Sequence, residues 1–307
     1  MRSRVVFGVV LFAALTAGCR WFPGGQSPTG PRAAVASSGC AAGTARAAGT
    51  EEVTTTSGGV ARTYLRRIPA GYDAKNPLPV VFDFHGYGEG AMVHTFMSKW
   101  GPRADAAHFV VIYPQGLGTP ARWETSLGSA DLTFFSYMLD EVEAGVCVDQ
   151  RRVFVSGLSM GAFMTSSIAC QFADRVAAVG IVAGIRNPAG CAPTRAVPLV
   201  TFHGTADTFV PYEPIPATVA AWAARNKCFP KALEASVAAD VVLTRYLCPT
   251  GAEVGFYRID GGGHAWPGSE FSRQIESVVG FTTFSINASD IMWDFFTRHP
   301  LPASTAG

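Results

Sequence analysis

The segment RRVFVSGLSMG, residues 151–161, constrains this chain most, because it places Ser159 between two glycines directly after a short apolar run. Residues 153–156 predict a buried strand, and residues 161–172 predict a helix. Between two such elements, flanking glycines allow a turn sharp enough to expose the serine oxygen. We interpret Ser159 as a candidate nucleophile. A serine whose glycines serve only close helix-to-strand packing would show the same five-residue pattern, so the context has to decide.

Two further predicted strands lead into an acidic and an imidazole side chain. Residues 198–202 run into HGTAD, which ends at Asp207, and residues 253–259 run into DGGGHAWPG, which contains His264. A serine hydroxyl needs an imidazole to take its proton and a carboxylate to orient that imidazole. Nucleophile, acid and base follow one another along the chain in the order that a strand-turn-helix serine site requires. Ser159, Asp207 and His264 are therefore the candidate catalytic residues.

Each of these assignments has an alternative. His264 could be a structural loop histidine, but the three glycines at 261–263 imply an unusual backbone path that such a histidine seldom needs. Asp207 could be a turn-forming aspartate. Asp260 and Asp131 are rival carboxylates, and Asp260 is the weaker of the two because it precedes the glycines on the loop of the base itself.

Acyl transfer also needs hydrogen-bond donors for the oxyanion. The N–H of Met160, the residue after the candidate nucleophile, is the first expected donor. Residues 79–84 predict an apolar strand that ends in HGYG, a glycine-rich turn that can aim an N–H inward. We expect the Tyr87 N–H to be the second donor, with Gly86 as the alternative. By itself, this segment would suit a simple strand-ending turn.

Together, the segments VVFDFHGYG, RVFVSGLSMGAFMT, TFHGTADTFVPY and DGGGHAWPG resemble the polyhydroxybutyrate depolymerase and feruloyl esterase group of α/β-hydrolases. This group is of the carbohydrate esterase family 1 type and includes LpqC-like bacterial lipoproteins. The resemblance covers residues 39–299. It implies an α/β-hydrolase fold and a secreted carboxylesterase with Ser159, Asp207 and His264 as its triad, and it implies no cofactor.

Apolar runs and periodic segments alternate along the chain, which favours an α/β fold with a mostly parallel central sheet and helices on both faces. Residues 268–286 are the least predictable stretch and could form a lid or rim. The predicted strands are residues 62–68, 79–84, 109–113, 152–156, 176–182, 198–202, 241–247 and 254–259, and the predicted helices are 92–100, 131–144, 161–172, 215–226 and 289–297.

The N-terminus is typical of a targeting segment. Arg2 and Arg4 precede an apolar run at residues 5–17, which is too short to span a bilayer. The following LTAGC resembles a lipobox, in which Cys19 would be lipid-modified. Thr16 stands where leucine is usual, so ordinary cleavage and release stays open. The chain is thus expected to be exported, either anchored in a membrane through Cys19 or secreted.

Composition suggests the domain plan. Residues 1–19 form the predicted signal peptide, and residues 20–50, rich in Gly, Pro, Ala and Ser, a flexible tether. Residues 51–300 are one catalytic domain, with a tail at 301–307. The chain has 307 residues, 48% of them hydrophobic, enough for a substantial core. Its net charge of +1 offers no electrostatic footprint for nucleic acid, so a nucleic-acid or acidic-polymer partner is disfavoured. The partner that the motifs and the resemblance imply is an ester substrate.

Cysteine usage also favours export. Of the seven cysteines, Cys19 belongs to the lipobox-like site, and the even remainder suggests disulfides. No cysteine or histidine pair has the short spacing of a zinc knuckle, so we expect no metal site. Two of the expected disulfides close short loops, and the third would attach the tether to the domain: Cys170–Cys191, Cys228–Cys248 and Cys40–Cys147.

Four aromatic side chains stand beside the motifs, in loops where open α/β sheets bind ligands. Any one of them could simply anchor its loop, but as a group one or two are expected to line the substrate pocket. They are Tyr87, Trp123, Tyr212 and Trp266.

The motifs favour an exported serine carboxylesterase that hydrolyses short-chain, aryl (feruloyl-type) or hydroxyalkanoate oligomer esters through an acyl-enzyme on Ser159. One alternative is a non-catalytic, surface-anchored binding lipoprotein that keeps the fold. Another is a serine peptidase of the prolyl oligopeptidase type, whose serine turn and acid loop look similar but which usually carries a large propeller domain.

Overall fold

A ten-stranded sheet runs through residues 33–302, the part of the chain that this computed structural model describes. The strands are β1 (Gly49–Ser57), β2 (Val60–Ile68), β3 (Leu78–Phe84), β4 (Val110–Pro114), β5 (Val148–Leu158), β6 (Ala178–Val182), β7 (Leu199–Gly204), β8 (Leu233–Ala238), β9 (Val241–Tyr246) and β10 (Val254–Ile259). Their order across the sheet is β1-β2-β4-β3-β5-β6-β7-β10-β9-β8.

The centre of the sheet is parallel. β4, β3, β5, β6, β7 and β10 pair in parallel, whereas β1 and β2 on one side and β9 and β8 on the other pair antiparallel. Every residue of β4, β6 and β7 is buried, as expected of strands covered on both faces. The carboxyl ends of the parallel strands therefore meet at one edge of the sheet.

Nine helices accompany the sheet in the described residues: α1 (Ser38–Ala42), α2 (Ala91–Ser98), α3 (Trp100–Ala107), α4 (Ala130–Gly145), α5 (Met160–Gln171), α6 (Ile215–Arg225), α7 (Glu270–Gln274), α8 (Glu276–Val279) and α9 (Ala288–Arg298). Side-chain caps begin three of these helices. The Ser129 hydroxyl accepts the Leu132 N–H at the start of α4, and Asn287 accepts the Asp290 N–H at the start of α9. Ser269 caps α7 in the same way.

The core lies on both faces of the sheet, because successive strand residues point to opposite sides. On β3, Phe82 belongs to one core cluster, together with Phe135 of α4, and Val81 belongs to the other. Trp293 of α9 lies in that second cluster. The predicted layering, helices on both faces of a mostly parallel sheet, is confirmed.

All of the predicted strands and the five predicted helices are present; β10 has the predicted bounds, and the other elements have shifted ends. β1, β8, α1 and α3 were missed, and α1 lies in the predicted tether. β1 and β8 are edge strands with polar or exposed residues, which lack the apolar alternation that marks a half-buried strand. α3 reads WGPRADAA, and its early Gly and Pro conceal a helix. The unpredicted stretch 268–286 contains α7 and α8.

The three predicted disulfides are formed: Cys40–Cys147, Cys170–Cys191 and Cys228–Cys248. The first attaches α1 to the residue that precedes β5, and Ala36 forms a β-bridge with Asp149. The downstream part of the predicted tether therefore packs on the domain, which extends upstream of the predicted boundary at residue 51. The predicted signal peptide, Cys19 and the start of the tether lie outside the described residues. Within residues 33–302, no helix combines the length and apolarity needed to cross a bilayer.

Candidate active site

Ser159 occupies the turn between β5 and α5, at the centre of the sheet. Its φ of 57° and ψ of −116° are strained for a residue with a side chain, and the residue is partly exposed. Its flanking glycines are required because neighbouring backbone atoms lie too close to leave room for a side chain. A Cβ on Gly157 would lie 2.5 Å from the Gly161 oxygen, and one on Gly161 would lie 2.0 Å from the Phe84 oxygen. The predicted strand-turn-helix geometry is thus present, with the serine at its apex.

Asp207 and His264, predicted from separate motifs, lie in contact. The Asp207 Oδ2 atom is 2.8 Å from Nδ1 of His264, and both residues are buried. Asp207 Oδ1 accepts the N–H groups of Phe209 and Val210, each at 2.9 Å. Because a carboxylate only accepts, Nδ1 of a neutral His264 carries the proton, and Nε2 is left as the basic nitrogen.

Asp207 is held in its ionised form. Burial alone would raise the pKa of Asp207, but the hydrogen bond and charge of His264, the Val210 N–H and the nearby His203 lower it, and the net pKa lies below its ordinary value. The rival carboxylates have other partners. Asp260 pairs with Arg258 at 2.7 Å, and Asp131 pairs with the buried Arg62 at 2.6 Å.

The His264 loop is held by the segment that sequence analysis left unassigned. Gly261 adopts a φ of 72°, and the Gly263 backbone packs so closely that a Cβ there would lie 2.1 Å from the Val279 oxygen. The His264 N–H donates to that same oxygen at 2.6 Å. Val279 is the last residue of α8, so α8 supports the backbone of the candidate base.

The loop after β3 lies beside Ser159. A Cβ on Gly86 would be 3.4 Å from the Ser159 Cβ. The Gly86 N–H donates to Glu89 Oε2 at 2.7 Å, so the alternative oxyanion donor is already engaged. Among the described residues, the N–H groups of Tyr87 and Met160 have no acceptor. These are the two donors that the sequence predicted.

The buried imidazole of His85 holds the same loop. Its Nδ1 lies 2.6 Å from the Gly86 oxygen, and its Nε2 accepts the Gly116 N–H at 2.9 Å. Burial lowers the pKa of His85 to about 4, although the hydrogen bond to Gly86 opposes this shift, so the ring is neutral near pH 7. The His85 carbonyl accepts the indole N–H of Trp123 at 2.9 Å. Three backbone groups of this loop, the His85 carbonyl and the N–H and carbonyl of Gly86, are therefore fixed, while the Tyr87 N–H stays available.

Known proteins similar in sequence are esterases by name. The chain is 33% identical over 187 residues to feruloyl esterase D of Neurospora crassa, covering 57% of this chain and 63% of that protein. It is 28% identical over 177 residues to a probable feruloyl esterase C of Aspergillus niger, covering 56% and 65%. The alignment thus spans slightly less than two thirds of either relative. A putative esterase, NocK, of Nocardia uniformis matches at 28% identity, covering 71% and 73%. No protein-family model matches.

Solved structures with the same architecture decide the fold. An acetyl xylan esterase from Aspergillus awamori superposes with a TM-score of 0.60 at 16% identity, covering 75% of this chain and 98% of that one. A ferulic acid esterase superposes with a TM-score of 0.53 at 16% identity, covering 78% and 99%. The chain has the α/β-hydrolase fold.

Two of the four aromatic residues expected in the substrate pocket are buried instead. Trp123 is 3% exposed and donates to the His85 carbonyl, and Trp266 is 1% exposed and donates to the Ser289 hydroxyl at 3.0 Å. Tryptophan buried in a core commonly engages its N–H in this way. The assignment of Trp123 and Trp266 to substrate contact is therefore corrected, since both hold loops in place.

Tyr87 and Tyr212 remain accessible. Tyr87 is 58% exposed, and Tyr212 is half-buried with its ring 6.4 Å from that of Phe256. A third accessible ring was missed from sequence. Phe209 is 58% exposed, and its ring centroid lies 5.1 Å from that of His264. Its position two residues after Asp207 was the available signal.

A buried charged group also escaped sequence analysis. His94 of α2 has Nε2 3.1 Å from Asp83 Oδ2 and Nδ1 2.9 Å from Glu89 Oε1. Asp83 in turn accepts the Ser156 hydroxyl at 2.6 Å. This network connects α2 and the centre of the sheet to the loop beside Ser159. In the described part of the chain, no group of three or more His, Cys, Asp or Glu side chains has the arrangement of a metal site.

Proposed function

We propose that this chain is a serine carboxylesterase. Ser159 is the nucleophile, His264 the general base, and Asp207 the carboxylate that orients His264. The observation that carries the proposal is the 2.8 Å contact of Asp207 with His264, because it joins residues that follow β7 and β10 at the sheet edge where Ser159 follows β5. The names of the similar proteins support the same chemistry.

Each step of this mechanism has a residue assigned to it. The Ser159 oxygen attacks the ester carbonyl while His264 Nε2 takes its proton, and the resulting oxyanion accepts the N–H groups of Met160 and Tyr87. Collapse breaks the bond to the alcohol, which leaves with the proton from His264. Water then attacks the acyl-Ser159 ester while His264 takes one of its protons. The acid is released when His264 returns that proton to the Ser159 oxygen.

Short-chain, aryl and hydroxyalkanoate oligomer esters are the proposed substrates. The feruloyl esterases among the relatives support an aryl acyl group. So do two exposed rings, Phe209 beside His264 and Tyr87 on the loop beside Ser159, because aromatic pairs add about 0.5–1.5 kcal/mol beyond area burial. The resemblance of the motifs to polyhydroxybutyrate depolymerases supports hydroxyalkanoate esters.

Export is part of the proposal. Three disulfides support it, since such bonds persist in oxidising compartments. The lipobox-like sequence before Cys19 supports a lipid anchor, and export followed by release is the alternative. Metabolic labelling with a fatty-acid analogue, compared between the natural chain and Cys19→Ser, would distinguish anchoring from release.

A fluorophosphonate probe tests the chemistry. We expect the purified protein to be labelled at Ser159 and to hydrolyse at least one of four substrate types: short p-nitrophenyl esters, methyl ferulate, acetylated xylan and hydroxybutyrate oligomers. Ser159→Ala should lose both labelling and turnover. A folded protein that is neither labelled nor active would favour a non-catalytic binding lipoprotein, and cleavage of peptides in preference to esters would favour a serine peptidase.

A further inference from the structure

A cavity of about 350 Å³ lies beside α5, the helix that follows the candidate nucleophile. It lies between α5, the loop after β6 and residues 125–127. Phe163 on its wall is one helical turn beyond Ser159, and the Phe163 N–H donates to the Ser159 carbonyl at 3.0 Å. Gly184 lies close to both residues. A Cβ at Gly184 would be 2.6 Å from the Ser159 carbonyl oxygen and 3.1 Å from the Phe163 ring. These contacts fix the cavity wall at Phe163 relative to the backbone of Ser159.

Arg186 is held in a defined position at this cavity. Its guanidinium carbon lies 3.3 Å from the centroid of the Phe163 ring. The Arg186 N–H donates to Ser166 Oγ at 3.2 Å, and the Arg186 carbonyl accepts the Trp222 indole N–H at 2.7 Å. The Cys170–Cys191 disulfide further attaches the loop that carries Arg186 to α5. The arginine is thus oriented by its backbone as well as by ring stacking.

A second arginine, Arg225 of α6, lies near the loop that carries Arg186. Its guanidinium carbon lies 4.5 Å from the Trp222 ring centroid, and its Nη1 donates to Asn187 Oδ1 at 3.1 Å. Asn187 also lines the cavity. Both guanidinium groups are therefore arranged around one loop, residues 186–187.

These two arginines differ from the other arginines stacked on aromatic rings. Five stacked arginines occur in residues 33–302, and three of them have a carboxylate partner: Arg62 with Asp131, Arg273 with Glu270 and Arg298 with Glu253. Within the same residues, Arg186 and Arg225 form no ion pair. Burial lowers the pKa of both groups, with no opposing contribution from a carboxylate.

We propose that this cavity is an anion subsite in which Arg186, assisted by Arg225, binds a free carboxylate of the ester substrate. A planar guanidinium suits a carboxylate because it can donate two parallel hydrogen bonds. The Ser126 hydroxyl and the Asn187 amide at the same cavity add neutral polar groups, whereas the Ser167 hydroxyl there already donates to the Thr125 carbonyl. The substrate class is then an ester with a carboxylate in its alcohol or acyl part, as in a hydroxyacid oligomer. This inference rests on the proposed function.

Matched substrate pairs test it. One pair is 3-acetoxybutyrate and its amide, with the carboxylate in the alcohol part, and the other is the mono-4-nitrophenyl ester of glutarate and its terminal amide. We expect the natural protein to prefer the carboxylate over the amide in at least one pair by about tenfold or more in kcat/KM. Arg186→Gln should abolish that preference while kcat/KM for the amide stays within about twofold. Arg225→Gln should reduce it less.

Arg298→Gln is the matched control, since Arg298 also stacks on a ring but pairs with Glu253, which keeps Arg245 as a partner. It should leave the preference unchanged. Equal kcat/KM values within both pairs, or a preference that survives Arg186→Gln in a protein with unchanged Tm, would overturn the subsite. If the protein hydrolysed neither the amide-bearing nor the carboxylate-bearing esters through Ser159, the proposed esterase activity itself would be overturned.

Discussion

One carboxylate oxygen of Glu89 accepts the Gly86 N–H at 2.7 Å, while the other lies 2.9 Å from Nδ1 of His94. Glu89 thereby joins a buried imidazole to the loop beside Ser159. Because the Gly86 N–H is engaged, the next N–H along the chain, that of Tyr87, is the one left for an oxyanion. Glu89 is a positioning residue in this interpretation, since it acts through the backbone that it holds.

Replacing Glu89 should therefore reduce kcat more than it changes KM. We expect Glu89→Ala to lower kcat by about 100-fold, because misplaced oxyanion donors cost rates of this order. Glu89→Gln keeps an oxygen that can accept the Gly86 N–H and should retain more activity. Steady-state kinetics on a p-nitrophenyl ester measures both. Full kcat in Glu89→Ala would mean that the loop is held without this carboxylate.

His94 should make stability depend on alkaline pH. Burial lowers the pKa of His94, but the charges and hydrogen bonds of Asp83 and Glu89 outweigh it and raise the pKa to about 10. The folded state therefore holds a proton that the unfolded state releases above about pH 6.5. This contribution to stability is complete below that pH and is lost as the pH rises towards 10, with a slope of up to about 1.4 kcal/mol per pH unit.

Urea unfolding at several pH values between 6.5 and 10 measures this effect. The variant His94→Gln cannot carry the charge, so its free energy of unfolding should be lower at pH 6.5 and should fall less steeply with pH. Parallel curves for the two proteins would show that His94 is not charged in the folded state.

The backbone of Ser159 should contribute strain that a glycine relieves. Ser159→Ala and Ser159→Gly should both abolish turnover, by about a millionfold as for the subtilisin serine in earlier mutational work. Because φ is 57° at this position, Ser159→Gly should have a free energy of unfolding about 1 kcal/mol above that of Ser159→Ala. Denaturant titration of the two inactive variants tests this, and a less stable glycine variant would contradict it.

Asp207 and Asp260 offer a matched pair of carboxylates near the base. Asp207→Asn should lower kcat by about 10⁴-fold, the effect of the equivalent change in a serine protease, because the amide favours the wrong imidazole tautomer. Asp260→Asn should change kcat by less than about threefold, since that side chain pairs with Arg258 at the surface. Comparable losses in the two variants, measured at equal Tm, would show that the acid is wrongly assigned.

Local patterns in the sequence were sufficient for most of the central fold. The apolar runs of β3, β5 and β7 predict buried strands because parallel strands are covered on both faces. The glycines beside Ser159 predict its turn because any larger residue would collide with the backbone. Even the contact between Asp207 and His264 followed from their places after two parallel strands, since such strands end at one edge of the sheet.

The sequence by itself thus determined the parallel sheet, the serine turn and the residues that meet at the sheet edge. Tertiary structure alone decided that Trp123 and Trp266 are buried and that Glu89 joins His94 to Gly86. It also decided that Arg186 has no carboxylate partner within residues 33–302. The physical reason is the sequence separation of the interacting residues. A strand or turn is specified by its own residues, whereas burial and charge pairing depend on side chains that only the folded sheet brings together.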